Sequence, residues 1–174
     1  MELIREIFGC VKIFKLKSRY DNRGSLTYLY DGIEGFEIKE NRIYDMPNEG
    51  TFFGIHYREE NEPMSKLITV IRGRGMDYVV DLRKGSETYL SSEAFELSKE
   101  NGLAVFIPAG IGHAFLSLED DTVQLFAIDR SADAGYSKRI NYADEKIGLE
   151  LPIPISRISD YDTSAKFLSE LSGG

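Results

Sequence analysis

Apolar and polar residues alternate along most of the chain in short runs, broken at regular intervals by polar or glycine-containing pairs. VKIFKL (11–16) and SLTYLY (25–30) flank the turn-like DNRG at 21–24. FEIKENRIYDM (36–46) ends in Pro47, Asn48 and Gly50, and TFFGIHY (51–57) leads into the polar loop REENEPMS. KLITVIRG and MDYVVDLR are separated around Gly73 and Gly75, and ETYLSS, EAFELS, LAVFIP, HAFLSL and TVQLFAI follow with short connections. Many short strands with turn signals between them predict an all-β domain, either a sandwich or a barrel. Helical spacing is confined to SAKFLSEL, where Phe167, Leu168 and Leu171 share a face and Asp162 or Thr163 is placed to cap it. The preceding LPIPISRIS carries two prolines and is expected to run extended over the surface. The expectation is one domain over residues 1–174, with a core at about 11–130 and an extended segment and short helix at about 131–172.

Composition narrows the classes of partner. A chain of 174 residues, 42% hydrophobic, is long enough to bury a core without disulfides. The net charge of −8 argues against nucleic acid and anionic membranes, both of which require basic surface. It leaves room for a small anionic ligand held by a local basic cluster. The single Cys10 has no internal partner, which fits a reducing compartment. The N-terminal stretch lacks a signal-peptide pattern, and no apolar run approaches the ~20 residues that span a bilayer. A soluble cytoplasmic protein is therefore expected.

The chain has two histidines. Strict alternation in TFFGIHY puts Phe53, Ile55 and Tyr57 on one face and Gly54 with His56 on the other, the glycine leaving room beside the imidazole. His113 follows a Pro-x-Gly turn in IPAGIGHAF. Alone, each histidine reads equally well as a hydrogen-bonded structural residue. Their surroundings add more. DNRG (21–24), FGIHYR (53–58), KLITVIRGRGMDYVVDLRKGSET (66–88), IPAGIGHAF (107–115) and ISDYD (158–162) occur in an order and spacing that resemble the dTDP-4-dehydrorhamnose 3,5-epimerase family over roughly residues 20–165.

That resemblance implies a cupin, a double-stranded β-helix or jelly roll, that dimerises by exchanging N-terminal strands. It implies epimerisation of a nucleotide-linked 4-keto-6-deoxy sugar at C3, C5 or both, in deoxysugar or cell-surface polysaccharide synthesis, with no cofactor and no metal. Proton removal next to a ketone needs a base, a group that stabilises the enolate, and exclusion of water. By the same resemblance His56 is the base and Asp162 its orienting carboxylate, with Asp160 as the fallback. Lys66 sits over the keto oxygen. Arg23 reaches the nucleotide or phosphates of the partner subunit's substrate, and His113 and Arg58 line the substrate pocket.

The chain also departs from the family pattern. Phe53 stands where the family has an arginine that helps to hold the diphosphate. An ungapped count puts Ser131 at the family's catalytic tyrosine, the general acid, and Phe126 or Leu125 at a second tyrosine. Tyr136, or less favourably Tyr142, is the candidate replacement acid. Two other readings stay open: a ketoisomerase that moves the proton between neighbouring carbons, and a cupin that binds a sugar nucleotide without turnover. A metal-dependent cupin is a further rival. Its first motif requires a second histidine where Arg58 stands, and a guanidinium is no ordinary metal ligand.

Overall fold

A computed structural model describes residues 1–130 and 137–171. One antiparallel sheet runs in the order β1 (Glu2–Ile7), β2 (Val11–Lys15), β10 (Leu103–Ile107), β7 (Lys66–Arg72), β12 (Thr122–Ile128) and β5 (Glu40–Met46). The second runs β13 (Lys138–Arg139), β6 (Phe52–Tyr57), β11 (Ile111–Ser117), β8 (Arg74–Asp81) and β9 (Ser92–Ser98). Among the described residues β3 (Lys17–Asp21) and β4 (Gly24–Tyr28) pair only with each other, as a hairpin exposed on both faces. Sequence neighbours are seldom sheet neighbours here: β7 lies between β10 and β12, and β11 between β6 and β8. This is the crossover order of a jelly roll, and the fold is all-β as expected.

Period-two patterning sets the interior. Ile68 and Val70 of β7, Val79 of β8, Val105 and Ile107 of β10, and Phe115 of β11 meet between the sheets. The opposite face of β7 is covered too, with Leu67 packed against Phe36, Ala104 and Ala127. Burial on both faces explains why this strand reads as the nearly unbroken apolar run LITVI. A second cluster lies under the C-terminal segment, where Phe52, Ile55, Tyr78, Leu116, Ile140 and Leu168 pack outside the five-stranded sheet.

Four local expectations change. Glu2–Ile7 is a strand that falls outside the expected core of 11–130, because five of its six residues are exposed and its charges blur the alternation. The 36–46 strand starts only at Glu40. ETYLSS is not a strand: the Ser86 and Thr88 hydroxyls both donate to the Asp81 carboxylate at 2.6 Å, and the Leu90 N–H donates to the Asp81 carbonyl, so this stretch winds into turns. The single helix predicted over SAKFLSEL is replaced by two one-turn helices, α1 (Asp160–Thr163) and α2 (Leu168–Leu171). The N-cap is Ser159, whose side chain accepts from the Asp162 N–H, and neither Asp162 nor Thr163 caps. Capping one turn earlier leaves the Asp162 side chain available for another partner.

Candidate active site

β6 carries one residue more than β11 between the pairs His56–His113 and Phe53–Phe115. The extra residue breaks strict alternation. His56 and Phe53 each share a side with an inward-facing partner on β11, while Ile55 turns out into the peripheral cluster. The expected grouping of Phe53 with Ile55 is therefore wrong, and Phe53 faces the same interior as His56. Gly54 makes the distortion possible. Its φ is +122°, and an added Cβ would lie 2.4 Å from Ala114 Cβ and 2.7 Å from the His113 carbonyl oxygen. The glycine is required by close approach of β11 and not, as the sequence implied, to leave room for the imidazole.

His56 Nε2 lies 2.6 Å from Asp162 Oδ1, and the Asp162 side chain is almost wholly buried. The second Asp162 oxygen is 3.4 Å from the Gly54 N–H, a long contact. With Nε2–H donating to the carboxylate, Nδ1 keeps its lone pair, which is the arrangement of an oriented base. Tyr161 meets the His56 ring edge-on at 5.9 Å between centroids. Arg139, the register partner of His56 on β13, stacks its guanidinium 3.8 Å from the centre of the Tyr161 ring. The imidazole is thus braced from the carboxylate side and along one edge.

A second histidine–carboxylate pair lies deeper: His113 Nε2 is 2.9 Å from Asp77 Oδ2, and both residues are buried. Burial pushes Asp77 up and His113 down, and in each case the partner's charge and the hydrogen bond between them oppose the shift. The charges of both Lys66 and His56 bear on His113, which places the three in one neighbourhood. Lys66 starts β7 on the same face as Ile68 and Val70. It is 9% exposed, in contrast to the solvated edge lysine that is its ordinary alternative. Burial lowers its pKa from 10.5 to about 8, Asp77 partly opposes this, and Arg58 and Arg42 lower it further.

The mouth of this interior is basic although the chain is acidic. Arg58, itself buried, lies near Lys66 with one guanidinium nitrogen 3.6 Å from Glu62. Arg42 sits on β5, opposite Phe126 of β12. Its half-exposed guanidinium is held by Glu40 at 2.5 Å. Two residues on, the Tyr44 ring lies 4.9 Å from Phe53 and 6.5 Å from Phe126, nearly parallel to the latter. Phe53, at the position of the family's arginine, is therefore the centre of an aromatic wall that also touches Phe115 and His113.

Of the residues singled out in the sequence, His56, Asp162, Lys66, His113 and Arg58 come together. Arg23 does not join them within one chain. It stands at the tip of the β3–β4 hairpin, 86% exposed and paired with Asp21 at 2.6 Å. Tyr136 and Ser131 lie outside the described residues. Tyr142 packs against Phe52 at 5.2 Å in the peripheral cluster, on the far side of β6 from the histidines, and is no candidate acid. Sequence reasoning missed Asp77, Arg42, Tyr44 and Tyr161. Asp77 was detectable, because it alternates with Val79 and Asp81 along MDYVVD and falls on the face of an inward valine. Tyr44 alternates with the inward Met46 along RIYDM, but the rings that make it part of the site, Phe53 and Phe126, lie on other strands. Among the described residues, no three His, Cys, Asp or Glu side chains converge to hold a metal ion.

The arrangement supplies an oriented base, a buried ammonium and a basic rim, which together suit proton abstraction beside a carbonyl on an anionic substrate. Comparison with known proteins agrees with this chemistry. Residues 6–170 match the family described as dTDP-4-dehydrorhamnose 3,5-epimerase. The chain is 35% identical over 123 residues to the dTDP-4-dehydrorhamnose 3,5-epimerase of Sinorhizobium fredii, a stretch covering 70% of this chain and 63% of that protein. It is 34% identical over 143 residues to the Methanothermobacter thermautotrophicus protein of the same name, covering 80% and 76%. The solved structure of dTDP-4-dehydrorhamnose 3,5-epimerase from Bacillus anthracis, with TDP and pyrophosphate bound, superimposes with a TM-score of 0.88 at 26% identity, covering 96% of this chain and 99% of that one. A 3'-monoepimerase from Streptomyces bikiniensis, solved as a double mutant with dTDP, gives 0.84 at 28% identity, covering 93% and 85%.

Proposed function

The chain belongs to the dTDP-4-dehydrorhamnose 3,5-epimerase family and has its cupin jelly-roll fold; from that premise we propose that it epimerises a nucleotide-linked 4-keto-6-deoxy sugar at one or both carbons flanking the ketone. The observation that carries the proposal is the His56–Asp162 pair at 2.6 Å in the same interior as the buried Lys66. His56 Nδ1 takes the proton alpha to the C4 ketone. The electron pair moves into an enolate, and the Lys66 ammonium stabilises its oxygen. Asp162 holds the imidazole in the tautomer that accepts at Nδ1 and stabilises the imidazolium that forms. His113 and Arg58 line the substrate cavity, and Arg58 and Arg42 draw the diphosphate to an otherwise acidic molecule. No group foreign to the chain is needed for these steps.

The same reading makes the active unit a homodimer. The β3–β4 hairpin exposes Tyr20 and Leu26 and, among the described residues, pairs with no other strand, so it is placed to lie across a second copy and bring Arg23 to that copy's nucleotide. A cytoplasmic place in deoxysugar synthesis for cell-surface polysaccharide fits the lone Cys10, and among the described residues no helix is long and apolar enough to cross a membrane.

Relatives are named both as 3,5-epimerases and, in Streptomyces bikiniensis at 34% identity, as a dTDP-4-dehydro-6-deoxyglucose 3-epimerase. The test is NMR of the protein with dTDP-4-keto-6-deoxyglucose, reading the ring couplings at C3 and C5. Inversion at both carbons or at C3 alone supports epimerisation and fixes its positions. Migration of the ketone would identify an isomerase. Tight dTDP binding with an unchanged sugar would identify a binding protein.

A further inference from the structure

Inversion requires a second group. A base alone returns the proton to the face it came from, so a donor must approach the opposite face. The double mutant of the Streptomyces bikiniensis 3'-monoepimerase is altered at a histidine and a tyrosine separated along that chain by the same number of residues as His56 and Phe126 here. On this count Phe126, and not the Ser131 of the ungapped count, stands where that protein has its tyrosine. Phe126 has no proton to give. Its ring, however, stacks nearly parallel to that of Tyr44 on the adjacent strand, at 6.5 Å and 10°.

We propose that Tyr44 is the proton donor of this protein, a phenol moved from β12 to its neighbour β5. The inference rests on the epimerase reading above. Three observations place Tyr44 for the task. It lies on the sheet opposite His56, so the two approach the barrel interior from facing walls. It shares the inward face with Arg42 and Phe126, and its ring rests on Phe53, the edge neighbour of His113. It is partly solvent-exposed, and among the described residues its hydroxyl has no hydrogen-bond partner, so it is free to meet a ligand and to be reprotonated by water.

The step balances. His56 removes the proton from the carbon beside the ketone, and the electron pair forms the enolate. Tyr44 then gives its hydroxyl proton to the same carbon from the other face as the enolate electrons return to re-form the C–H bond and the carbonyl. The phenolate recovers a proton from water and the imidazolium releases one.

The experiment separates abstraction from inversion, using the whole protein and dTDP-4-keto-6-deoxyglucose in heavy water. In Tyr44→Phe, deuterium wash-in catalysed by His56 is expected to continue within a few-fold of the unaltered protein, while inversion falls by about 100-fold or more. The double variant Tyr44→Phe with Phe126→Tyr is expected to recover inversion by restoring the phenol on β12. Inversion that survives in Tyr44→Phe, as it would if Tyr136 donated, overturns the assignment. So does a parallel loss of wash-in and inversion that the double variant fails to restore, since Tyr44 would then be shaping the site and not protonating the sugar. Absence of wash-in from the unaltered protein is a different failure, and overturns the epimerase reading itself.

Discussion

Replacing Lys66 by methionine keeps the length of the side chain and removes the ammonium. The structure makes the consequence calculable. Burial is the main cause that lowers the Lys66 pKa from 10.5 to about 8, so at neutral pH the folded protein carries a charge that its interior disfavours. That displacement corresponds to about 3 kcal/mol of lost stability. The sign follows from the depressed pKa of a base. The penalty is fully present below pH 8, shrinks as the group loses its proton between about 8 and 10.5, and is absent above. Lys66→Met is therefore expected to raise the melting temperature at pH 7 by roughly 6–12 °C for a chain of this size, and the gain is expected to vanish by pH 10.5. The enolate loses its stabilising charge at the same time, with a fall in kcat of about 10²–10³-fold. Thermal unfolding from pH 7 to 10.5, paired with the NMR turnover assay, reads both effects. A variant that is less stable at pH 7, or whose gain is independent of pH, refutes the reasoning that the ammonium is held there at a cost for chemistry.

The depressed Lys66 pKa also predicts an alkaline limb near pH 8 in the rate profile of the unaltered protein, and Asp77→Asn, which removes the charge that raises that pKa, moves the limb to lower pH. Asp162→Asn leaves the imidazole packed against Tyr161 but favours the wrong tautomer, and is expected to lower kcat by about 10³–10⁴-fold with little change in KM. Asp81→Ala tests the turn clamp: burial pushes this carboxyl up, but hydrogen bonds from Arg83, Ser86 and Thr88 outweigh it and hold it well below the usual range. Its loss is expected to cost about 3–5 kcal/mol in urea unfolding at pH 7. The unaltered protein loses that contribution only as acid pH falls through the depressed value. Gly54→Ala forces a Cβ into Ala114 at a positive φ and is expected to reduce turnover more than it reduces dTDP binding, since it displaces His56; equal losses would count against that.

Much of this was legible in the sequence because period-two alternation survives in the barrel strands. KLITVI, DYVVD and HAFLSL each read correctly as strands, and the motifs around them led to the His56, Lys66 and Asp162 neighbourhood. What the sequence hid came from places where local chemistry overrides the period. The extra residue at Gly54 and Ile55 turns Phe53 to the same side of the strand as His56, which no alternation rule anticipates. The hydroxyls of Ser86 and Thr88 bend a β-prone segment around Asp81. Ser159 caps one turn early and frees Asp162. The aromatic wall joins Tyr44 and Phe53, on consecutive strands of different sheets, to Phe126 on a strand far along the chain, so no spacing announces it. The VDLR stretch, prominent as a family signature, proves to act through Asp81 and Arg83 in holding the fold, not in contact with the histidines.

In the proposed chemistry His56 is the base that removes a proton beside the ketone. Deuterium incorporation from heavy water into dTDP-4-keto-6-deoxyglucose, followed at C3 and C5 by NMR for the unaltered protein and for His56→Ala, tests it most directly. Incorporation at one or both carbons that disappears in His56→Ala is the predicted result. Incorporation that persists in His56→Ala, or none in the unaltered protein while dTDP binds, would contradict it.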